Sequence, residues 1–260
     1  MDKKQTRQPL ISVIIPAYNC AATLGRAIDS ALMQDPPLEV LVLDNSEPGL
    51  HDQVMERYRD DERVRYFHNE KNLGASGSRN RGVSYARGKY VAFLDSDDWW
   101  SEGKLKAQLK CMEEKNVVLC STARELAAPD GTLTGRIIPV RTDITYTDLL
   151  RHNCINCSSV MLLTSVAREF PMTCEDSHED YITWLKILKK YKRAAAINEP
   201  MLKYTLSASG KSGSKLHSAG MTYKVYRYSG FGRLASSGLF IVYALNGVYK
   251  YLMSYLRKSC

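Results

Sequence analysis

The sequence lacks the cysteine pattern of a disulfide framework or a zinc site. Its 260 residues include seven cysteines, an odd number scattered along the chain. Cys154 and Cys157 stand three residues apart, but no second pair and no histidine set completes the four ligands of a zinc ion. Residues 1–9 are polar and short, which is not typical of a secretory signal. We therefore expect reduced thiols in a cytoplasmic protein.

Acidic residues are absent from the last sixty positions. Residues 201–260 carry nine Lys or Arg and neither Asp nor Glu. The whole chain has 36 basic and 28 acidic residues, so the first 200 positions hold 27 basic against 28 acidic, and the net charge of +8 comes from the tail. A basic segment of this kind indicates an anionic partner, which can be a membrane surface, a nucleic acid or a phosphorylated substrate.

An uninterrupted apolar run is also missing from this tail. Residues 238–256 are mostly apolar, but Asn246 and Lys250 interrupt them, which makes a poor membrane span. Seven tyrosines from Tyr223 onward, interleaved with Lys and Arg, suit a helix that lies in the headgroup region of a bilayer. A helix packed on the rest of the protein, with its lysines solvated, fits the same pattern equally well.

The remaining sequence is organised around residues 90–100. Residues 90–94 have the length and composition of a buried strand. Asp95, Asp97 and Asp98 follow, and three like charges within four residues are costly unless a cation lies among them. Oxygen ligands favour Mg²⁺ or Mn²⁺. The alternative is a solvated turn in which Asp97 or Asp98 caps the next helix, but a position at the end of a buried strand favours the metal site.

Apolar runs alternate with helical periodicity, which predicts parallel strands covered by helices on both faces. We expect strands at residues 11–16, 39–44, 64–68 and 90–94, and helices at 21–33, 52–58 and 75–86, the first of them capped by Asn19. Farther along, we expect helices at 105–114 and 181–191, strands at 117–121 and 158–163, and a hairpin turn at 129–131. Residues 207–214 are typical of a mobile loop, and the chain from residue 217 onward is typical of helix.

Four short motifs occur in order along the chain. They are Val-Ile-Ile-Pro-Ala-Tyr-Asn at 13–19, Asn-Leu-Gly-Ala-Ser-Gly-Ser-Arg-Asn-Arg-Gly at 72–82, Leu-Asp-Ser-Asp-Asp-Trp at 94–99, and His-Glu-Asp-Tyr at 178–181 followed by Trp184 and Leu185. Together they resemble the motifs of the inverting glycosyltransferases of family 2. The resemblance implies a GT-A fold: an α/β, Rossmann-like, mostly parallel central sheet with helices on both faces. It covers a catalytic domain at 10–206, ahead of a flexible loop at 207–216 and a basic helical tail at 217–260.

The resemblance implies a role for each motif. Asp180 would be the general base that deprotonates the acceptor hydroxyl, and Glu179 would position the acceptor. Alternatively, both acids only favour the amino-terminal end of the following helix through its dipole. Asp97 would hold the Mn²⁺ or Mg²⁺ that bridges the donor's diphosphate, Asp95 would bind the ribose, and Asp44 would accept from the uracil N3–H. The residues implied in nucleotide-sugar binding are Pro16, Ala17, Tyr18, Asp44, Arg79, Asp95 and Ser96.

Two segments depart from the family's pattern. The family usually shows two aspartates, a glycine and a serine where Asn-Ser-Glu follows Asp44 at 45–47. Its Tyr-Arg-x-His segment is replaced by Tyr-Thr-Leu-Ser at 204–207, so that the Arg and the His are both missing. Lys211 or Lys215 would then supply the positive charge over the diphosphate.

The implied function is transfer of one sugar from a nucleotide-sugar donor, UDP-linked by the family analogy, to a growing glycan. The acid-free tail indicates a lipid-linked or lipopolysaccharide acceptor and an anionic membrane surface as partners, with no nucleic acid, and a peripheral position on the inner face of the membrane. A sugar-nucleotide nucleotidyltransferase is one alternative, but it needs a Gly-rich basic segment after the first strand, which residues 16–19 do not supply. A nucleic-acid binder acting through the tail is the other, and it leaves Asp95, Asp97 and Asp180 unexplained.

Overall fold

A mixed sheet of ten strands organises the computed structural model, which describes residues 8–174, 176–206 and 215–256. Its strands are β1 (Ile11–Ala17), β2 (Leu38–Asp44), β3 (Val64–His68), β4 (Tyr90–Phe93), β5 (Trp99–Trp100), β6 (Leu119–Ala127), β7 (Leu133–Ile138), β8 (Asp143–Thr145), β9 (Met161–Leu163) and β10 (Arg193–Thr205). Its helices are α1 (Ala21–Leu32), α2 (Asp52–Met55), α3 (Gly74–Tyr85), α4 (Lys104–Lys115), α5 (Tyr146–Arg151), α6 (Thr164–Glu169), α7 (Glu179–Tyr191), α8 (Lys215–Tyr228) and α9 (Arg233–Leu256), with 3₁₀ turns at Glu56–Tyr58 and Cys157–Ser159.

The strand order is β3-β2-β1-β4-β9-β6-β10-β5, with β7 paired to β6 and β8 paired to β10. Every pair of neighbouring strands among β1, β2, β3 and β4 is parallel, as the alternation of strands and helices predicts. β9 runs antiparallel between β4 and β6, so the second half of the sheet is mixed, although β6 and β10 are parallel to each other. The α/β class is confirmed. Parallel pairing is confined to two groups of strands, β1 to β4 and β6 with β10.

Two local predictions are wrong. Asn19 does not cap α1: its φ of 47° lies in the left-handed region that asparagine tolerates, and the helix begins after Cys20 without a side-chain cap. The strand expected at 158–163 is limited to Met161–Leu163. The 3₁₀ turn before it is favoured because the Asn156 side chain accepts a hydrogen bond from the Ser158 N–H at 3.0 Å. The hairpin turn at 129–131 is confirmed between β6 and β7.

The long strand β10 is absent from the sequence-based prediction. Its first half, residues 194–200, consists of three alanines, Ile197, Asn198, Glu199 and Pro200, most of which are weak strand formers. The register of β10 against β6 shifts between Ile197 and Leu202, which accommodates this irregular segment. β10 is therefore held in place by its neighbours β6, β8 and β5 rather than by local propensity.

Two apolar cores lie on the two faces of the sheet. α1 and α4 bury Leu24 and Leu105 on one face, while α7 buries Trp184 on the other. Helix α3 packs so closely that a Cβ added at Gly82 would lie 2.5 Å from Ile14 Cγ2. Only glycine allows this approach, which gives a packing reason for the last position of the motif at 72–82.

The tail begins as part of the core. On α8, Val225 and Tyr226 are fully buried, and the Tyr226 hydroxyl donates to the Leu150 carbonyl at 2.8 Å. Helix α9 packs on α5 and α8 but exposes one apolar stripe. The exposed apolar side chains of α9 are Leu234, Ile241, Val242 and Leu245. Among the described residues, no helix is long and apolar enough to cross a membrane. The loop expected at 207–214 lies outside the described residues.

Candidate active site

The carboxyl ends of β1, β2 and β4 meet at one edge of the sheet. β1 pairs in parallel with both neighbours, so Ala17, Asp44 and the chain after Phe93 lie close together there. Beyond the strands, the Asn45 N–H donates to the Ala17 carbonyl at 2.9 Å, which extends the pairing into the loops. Asp95, Asp97 and Asp98 follow β4 at the same edge. In open α/β sheets, ligands bind at this edge.

A buried arginine joins the second, third and fourth motifs. Arg79, on α3 and 6 % exposed, donates from Nη2 to Asp95 Oδ1 at 2.5 Å, and its Nη1 lies 3.6 Å from Glu179 Oε1. Burial alone would lower the pKa of Arg79, but the charges of Asp95 and Glu179 raise it above its ordinary value. The guanidinium therefore stays charged and fixes the turn after β4 against the first turn of α7.

Asp97 and Asp98 are adjacent but differ in their surroundings. Asp98 is 1 % exposed, and its Oδ1 accepts from the Thr205 N–H at 2.8 Å. Burial, and then the charges of Asp95 and Asp97, raise the pKa of Asp98 well above its ordinary value. Burial and the Asp95 charge raise the pKa of Asp97, which is partly exposed, to about 6. The alternative of a solvated turn with a capping aspartate is wrong, because Gly103 stands at the amino-terminal cap of α4 and Asp98 binds β10 instead.

Arg26 fixes this turn, although no sequence motif singles it out. Its Nη2 donates to the Asp97 carbonyl at 3.0 Å, and its guanidinium lies 3.8 Å from the centre of a Trp99 ring. The Thr205 hydroxyl donates to the same carbonyl at 2.5 Å. These contacts hold the backbone of Asp97 through its carbonyl oxygen and not through its carboxylate.

Asp180 lies in the first turn of α7, directly after the buried Glu179. Burial, and then the negative charge of Glu179, raise the pKa of Asp180, while Arg79 opposes the shift. Its Oδ1 accepts from the Tyr181 N–H at 2.7 Å. A partly exposed carboxylate with a raised pKa, brought to the carboxylate-bearing edge by Arg79, has the properties of a general base.

Asp44 is fully buried, and all of its partners are donors. Its Oδ2 accepts from the Tyr66 hydroxyl and from His51 Nδ1, both at 2.6 Å, and its Oδ1 accepts from the Ser46 N–H at 2.8 Å. His51 Nε2 accepts from the Cys20 N–H at 3.2 Å, so the ring proton is on Nδ1. Burial alone would raise the pKa of Asp44, but these hydrogen bonds hold it below its ordinary value. The expected contact with uracil stays a prediction.

The other residues implied in nucleotide binding line the same edge to different degrees. Tyr18 is 57 % exposed, whereas the side chain of Ala17 is buried. Pro16 and Ser96 are half-buried. Lys211 and the side chain of Lys215, which were expected to replace the missing positive charge, lie outside the described residues.

Asn45 explains one departure from the family's pattern. Its Nδ2 donates to Ser78 Oγ at 2.8 Å, while its Oδ1 accepts from Asn69 Nδ2 at 2.8 Å and from the Leu73 N–H at 3.1 Å. An ionised aspartate accepts but cannot donate, so the amide suits this buried position. The replacement therefore serves to join β2 to the loop that precedes α3.

The fold and the carboxylate-bearing edge define a glycosyltransferase of the GT-A fold. The model of glycosyl transferase family 2 matches residues 12–166, and the chain belongs to this family. It is 35 % identical over 248 residues to the putative teichuronic acid biosynthesis glycosyltransferase TuaG of Bacillus subtilis, covering 94 % of this chain and 98 % of that protein. It is 31 % identical over 250 residues to WfaP of Escherichia coli, a UDP-Glc:α-D-GlcNAc-diphosphoundecaprenol β-1,3-glucosyltransferase, covering 96 % and 98 %.

Solved structures share the fold at lower identity. TarS residues 1–349 of S. aureus, in complex with UDP-GlcNAc, match with a TM-score of 0.68 and 19 % identity over 88 % of this chain and 70 % of that one. The mannosyltransferase PcManGT of Pyrobaculum calidifontis, in complex with GDP-Man and Mn²⁺, matches with a TM-score of 0.68 and 17 % identity over 91 % and 69 %. Family membership favours a transferase over the two alternatives left open by the sequence.

Replacement of Tyr66 by phenylalanine tests the Asp44 network. The change removes one donor from a buried carboxylate, so we expect the free energy of unfolding at pH 7 to fall by about 1–3 kcal/mol. The donors lower the pKa of Asp44 in the folded protein below its ordinary value of about 3.9. The stability that they contribute is therefore fully present above the ordinary pKa. It is lost as the pH falls through the lower pKa of the folded protein. The difference from the wild type should therefore narrow on acidification. Urea unfolding between pH 7 and pH 3 measures it.

Tyr191→Phe is the matched control, because its hydroxyl lies 3.4 Å from the exposed Glu169. It should change the stability by less than about 0.5 kcal/mol. Equal losses in the two variants, or a Tyr66→Phe deficit that does not change with pH, contradict the assigned role of Asp44.

Proposed function

We propose that the protein is a metal-dependent inverting glycosyltransferase in which Asp180 is the general base. The observation that carries the proposal is the Asp95–Arg79–Glu179 network, because it joins the turn of Asp97 to the helix of Asp180. An inverting reaction requires one carboxylate that accepts the acceptor's proton, and Asp180, with its raised pKa, would serve this role beside the cleft, which is the edge of the sheet that carries Asp44, Asp95, Asp97 and Asp98.

In the proposed reaction, Asp180 accepts the proton of the acceptor hydroxyl. The acceptor oxygen forms a bond to the anomeric carbon from the face opposite the leaving group. The bond between that carbon and the donor's phosphate oxygen breaks, and its electron pair leaves with the nucleoside diphosphate. Glu179 is bound to Arg79 and would position Asp180 and the acceptor without accepting the proton.

The side chains at this edge fit a divalent cation that would be bound jointly by the protein and by the phosphate groups of the substrate. Asp97 is partly exposed, and burial together with the charge of Asp95 raises its pKa to about 6, so a cation would relieve the repulsion between the two carboxylates. Among the described residues, no group of three or more His, Cys, Asp or Glu side chains is arranged to hold a metal. Ions such as Mg²⁺ commonly use one or two carboxylates together with phosphates. When bound, Mn²⁺ or Mg²⁺ would neutralise charge on the departing diphosphate.

A UDP-sugar is the proposed donor and a diphosphate-linked glycan on a lipid is the proposed acceptor. The donor assignment is supported by the names of WfaP and of the TarS complex with UDP-GlcNAc. The acceptor assignment is supported by the name of WfaP, which includes a GlcNAc-diphosphoundecaprenol. Pro16, Tyr18, Asp44, Arg79, Asp95 and Ser96, with the backbone of Ala17, would form the donor end of the cleft.

Asp180→Asn tests the general base. Asparagine keeps the shape of the side chain but cannot accept the proton, so we expect kcat to fall by about a hundred- to ten-thousandfold. The affinity for UDP should change by less than about threefold, because Asp180 is not assigned to the donor. Transfer of glucose from UDP-glucose to a GlcNAc diphosphate with a short alkyl chain measures kcat. Turnover at the wild-type rate would mean that Asp180 only favours the helix terminus.

Asp97→Ala tests the metal site. We expect the variant to lose the part of its UDP affinity that depends on Mn²⁺, and transfer to fall to background. Calorimetry with UDP, in the presence of Mn²⁺ and of a chelator, measures the effect. Asp60→Ala removes an exposed carboxylate elsewhere and is the control. Normal transfer by Asp97→Ala, or wild-type transfer that a chelator leaves unchanged, contradicts the role of the metal.

We further propose that α9 holds the enzyme peripherally on the inner face of the cytoplasmic membrane. Leu234, Ile241 and Leu245 are 92 %, 58 % and 65 % exposed and lie on one side of the helix at seven- and four-residue spacing. Arg233 adjoins this stripe and is exposed. An exposed apolar stripe together with an excess of cations suits adsorption to an anionic bilayer.

Vesicle sedimentation tests the role of the tail. The wild type should sediment with vesicles that contain anionic lipid, less with neutral vesicles, and less at high salt. Replacement of Leu234, Ile241 and Leu245 by serine should release the protein, whereas serine at the exposed Leu133 and Ile137 of the hairpin should not. If the wild-type protein does not sediment with anionic vesicles at low salt, the tail is only a packing element.

A further inference from the structure

Arg124 is a half-buried cation whose guanidinium lies within ion-pair distance of no carboxylate among the described residues. It lies on β6, beside Leu202 of β10 in the register of the sheet. Its Nε is shielded from solvent and has no hydrogen-bond partner, and its guanidinium forms no ion pair with any carboxylate of the described residues. Burial lowers the pKa of Arg124. A donor that is shielded from water without gaining an acceptor is costly, and the Nε of Arg124 is such a donor.

The surroundings of Arg124 belong to the cleft. Its guanidinium carbon lies 5.5 Å from the centre of the Tyr204 ring, and both side chains interact electrostatically with Asp98. Tyr204 precedes Thr205, whose N–H and hydroxyl bind Asp98 and the Asp97 carbonyl. Arg124 therefore lies close to the segment of β10 that holds the turn of Asp97 and Asp98.

We propose that Arg124 binds a phosphate group of one of the two substrates. The inference rests on the proposed function, in which the donor and the acceptor each carry a diphosphate. A guanidinium binds phosphate oxygens with two parallel N–H groups, and this planar fork distinguishes it from lysine. Phosphate binding would supply the acceptor that the shielded Nε lacks, and it would bring a negative charge within ion-pair distance of the guanidinium.

Two variants and one control test the assignment. Arg124→Gln removes the charge, Arg124→Lys keeps the charge without the fork, and Arg59→Gln removes an exposed arginine that is paired with Glu56. Three probes separate the sources of phosphate. They are UDP with Mn²⁺ in calorimetry, transfer from UDP-glucose to a GlcNAc diphosphate with a short alkyl chain, and transfer to an alkyl GlcNAc glycoside that has no phosphate. Thermal unfolding establishes that each variant is folded.

If the donor is the partner, Arg124→Gln weakens UDP binding by about ten- to a hundredfold. If the acceptor is the partner, UDP binding stays within about twofold, KM for the diphosphate acceptor rises by a similar factor, and transfer to the phosphate-free glycoside does not change. Arg124→Lys should lie between the wild type and Arg124→Gln in either case, and it serves alone if the glutamine variant does not fold.

The proposal is overturned if Arg124→Gln matches the Arg59→Gln control with all three probes. It is also overturned if transfer to both acceptors falls equally while UDP binding is unchanged, because such a loss does not depend on phosphate. A wild-type protein that transfers sugar to neither acceptor contradicts the proposed function itself, whereas an active wild type with an unaffected Arg124→Gln contradicts only this inference.

Discussion

The site depends on one buried guanidinium that has to remain between two carboxylates. Arg79 comes from α3, Asp95 from the turn after β4, and Glu179 from the start of α7, so three distant parts of the chain satisfy one charge. Removal of one partner from a buried ion pair typically costs about 3–5 kcal/mol, because the other charge is left without compensation. The second, third and fourth motifs are therefore physically coupled, and the position of each one requires the other two.

Much of the strand framework could be predicted because most of these strands are short apolar runs in the sequence. The third strand, Val64–His68, coincides with the predicted range, and β1, β2 and β4 differ from their predictions by about a residue. β10 could not be found in this way, since alanines and Pro200 carry no strand signal of their own. It becomes a strand through pairing with β6, a long-range contact that a local window does not contain.

The states of the aspartates show what a motif leaves undetermined. Asp44 ends β2, whereas Asp95, Asp97 and Asp98 lie in the turn after β4, and the sequence predicted that these three follow the end of a buried strand. Donors hold the pKa of Asp44 low, Arg79 pairs with Asp95, and burial raises the pKa values of Asp97 and Asp98. His51 and Tyr66 lower the pKa of Asp44, and Arg79 pairs with Asp95; each of these three residues reaches the site from another segment. Residue type predicted the place of these side chains, and only packing determined their charge.

The tail is coupled to the chemistry through packing as well as through charge. His178 Nε2 lies 3.3 Å from the Ser218 carbonyl, and Lys224 Nζ pairs with Asp176 Oδ2 at 2.7 Å, so α8 is fixed to the segment that precedes α7. A cation that is already paired with a carboxylate contributes less to binding an anionic bilayer than an unpaired cation does. Adsorption to the membrane therefore depends more on the apolar stripe of α9. Truncation of the tail would disturb Glu179 and Asp180 together with any membrane contact. Surface substitutions on α9 separate the two effects, because they leave the contacts of α8 in place.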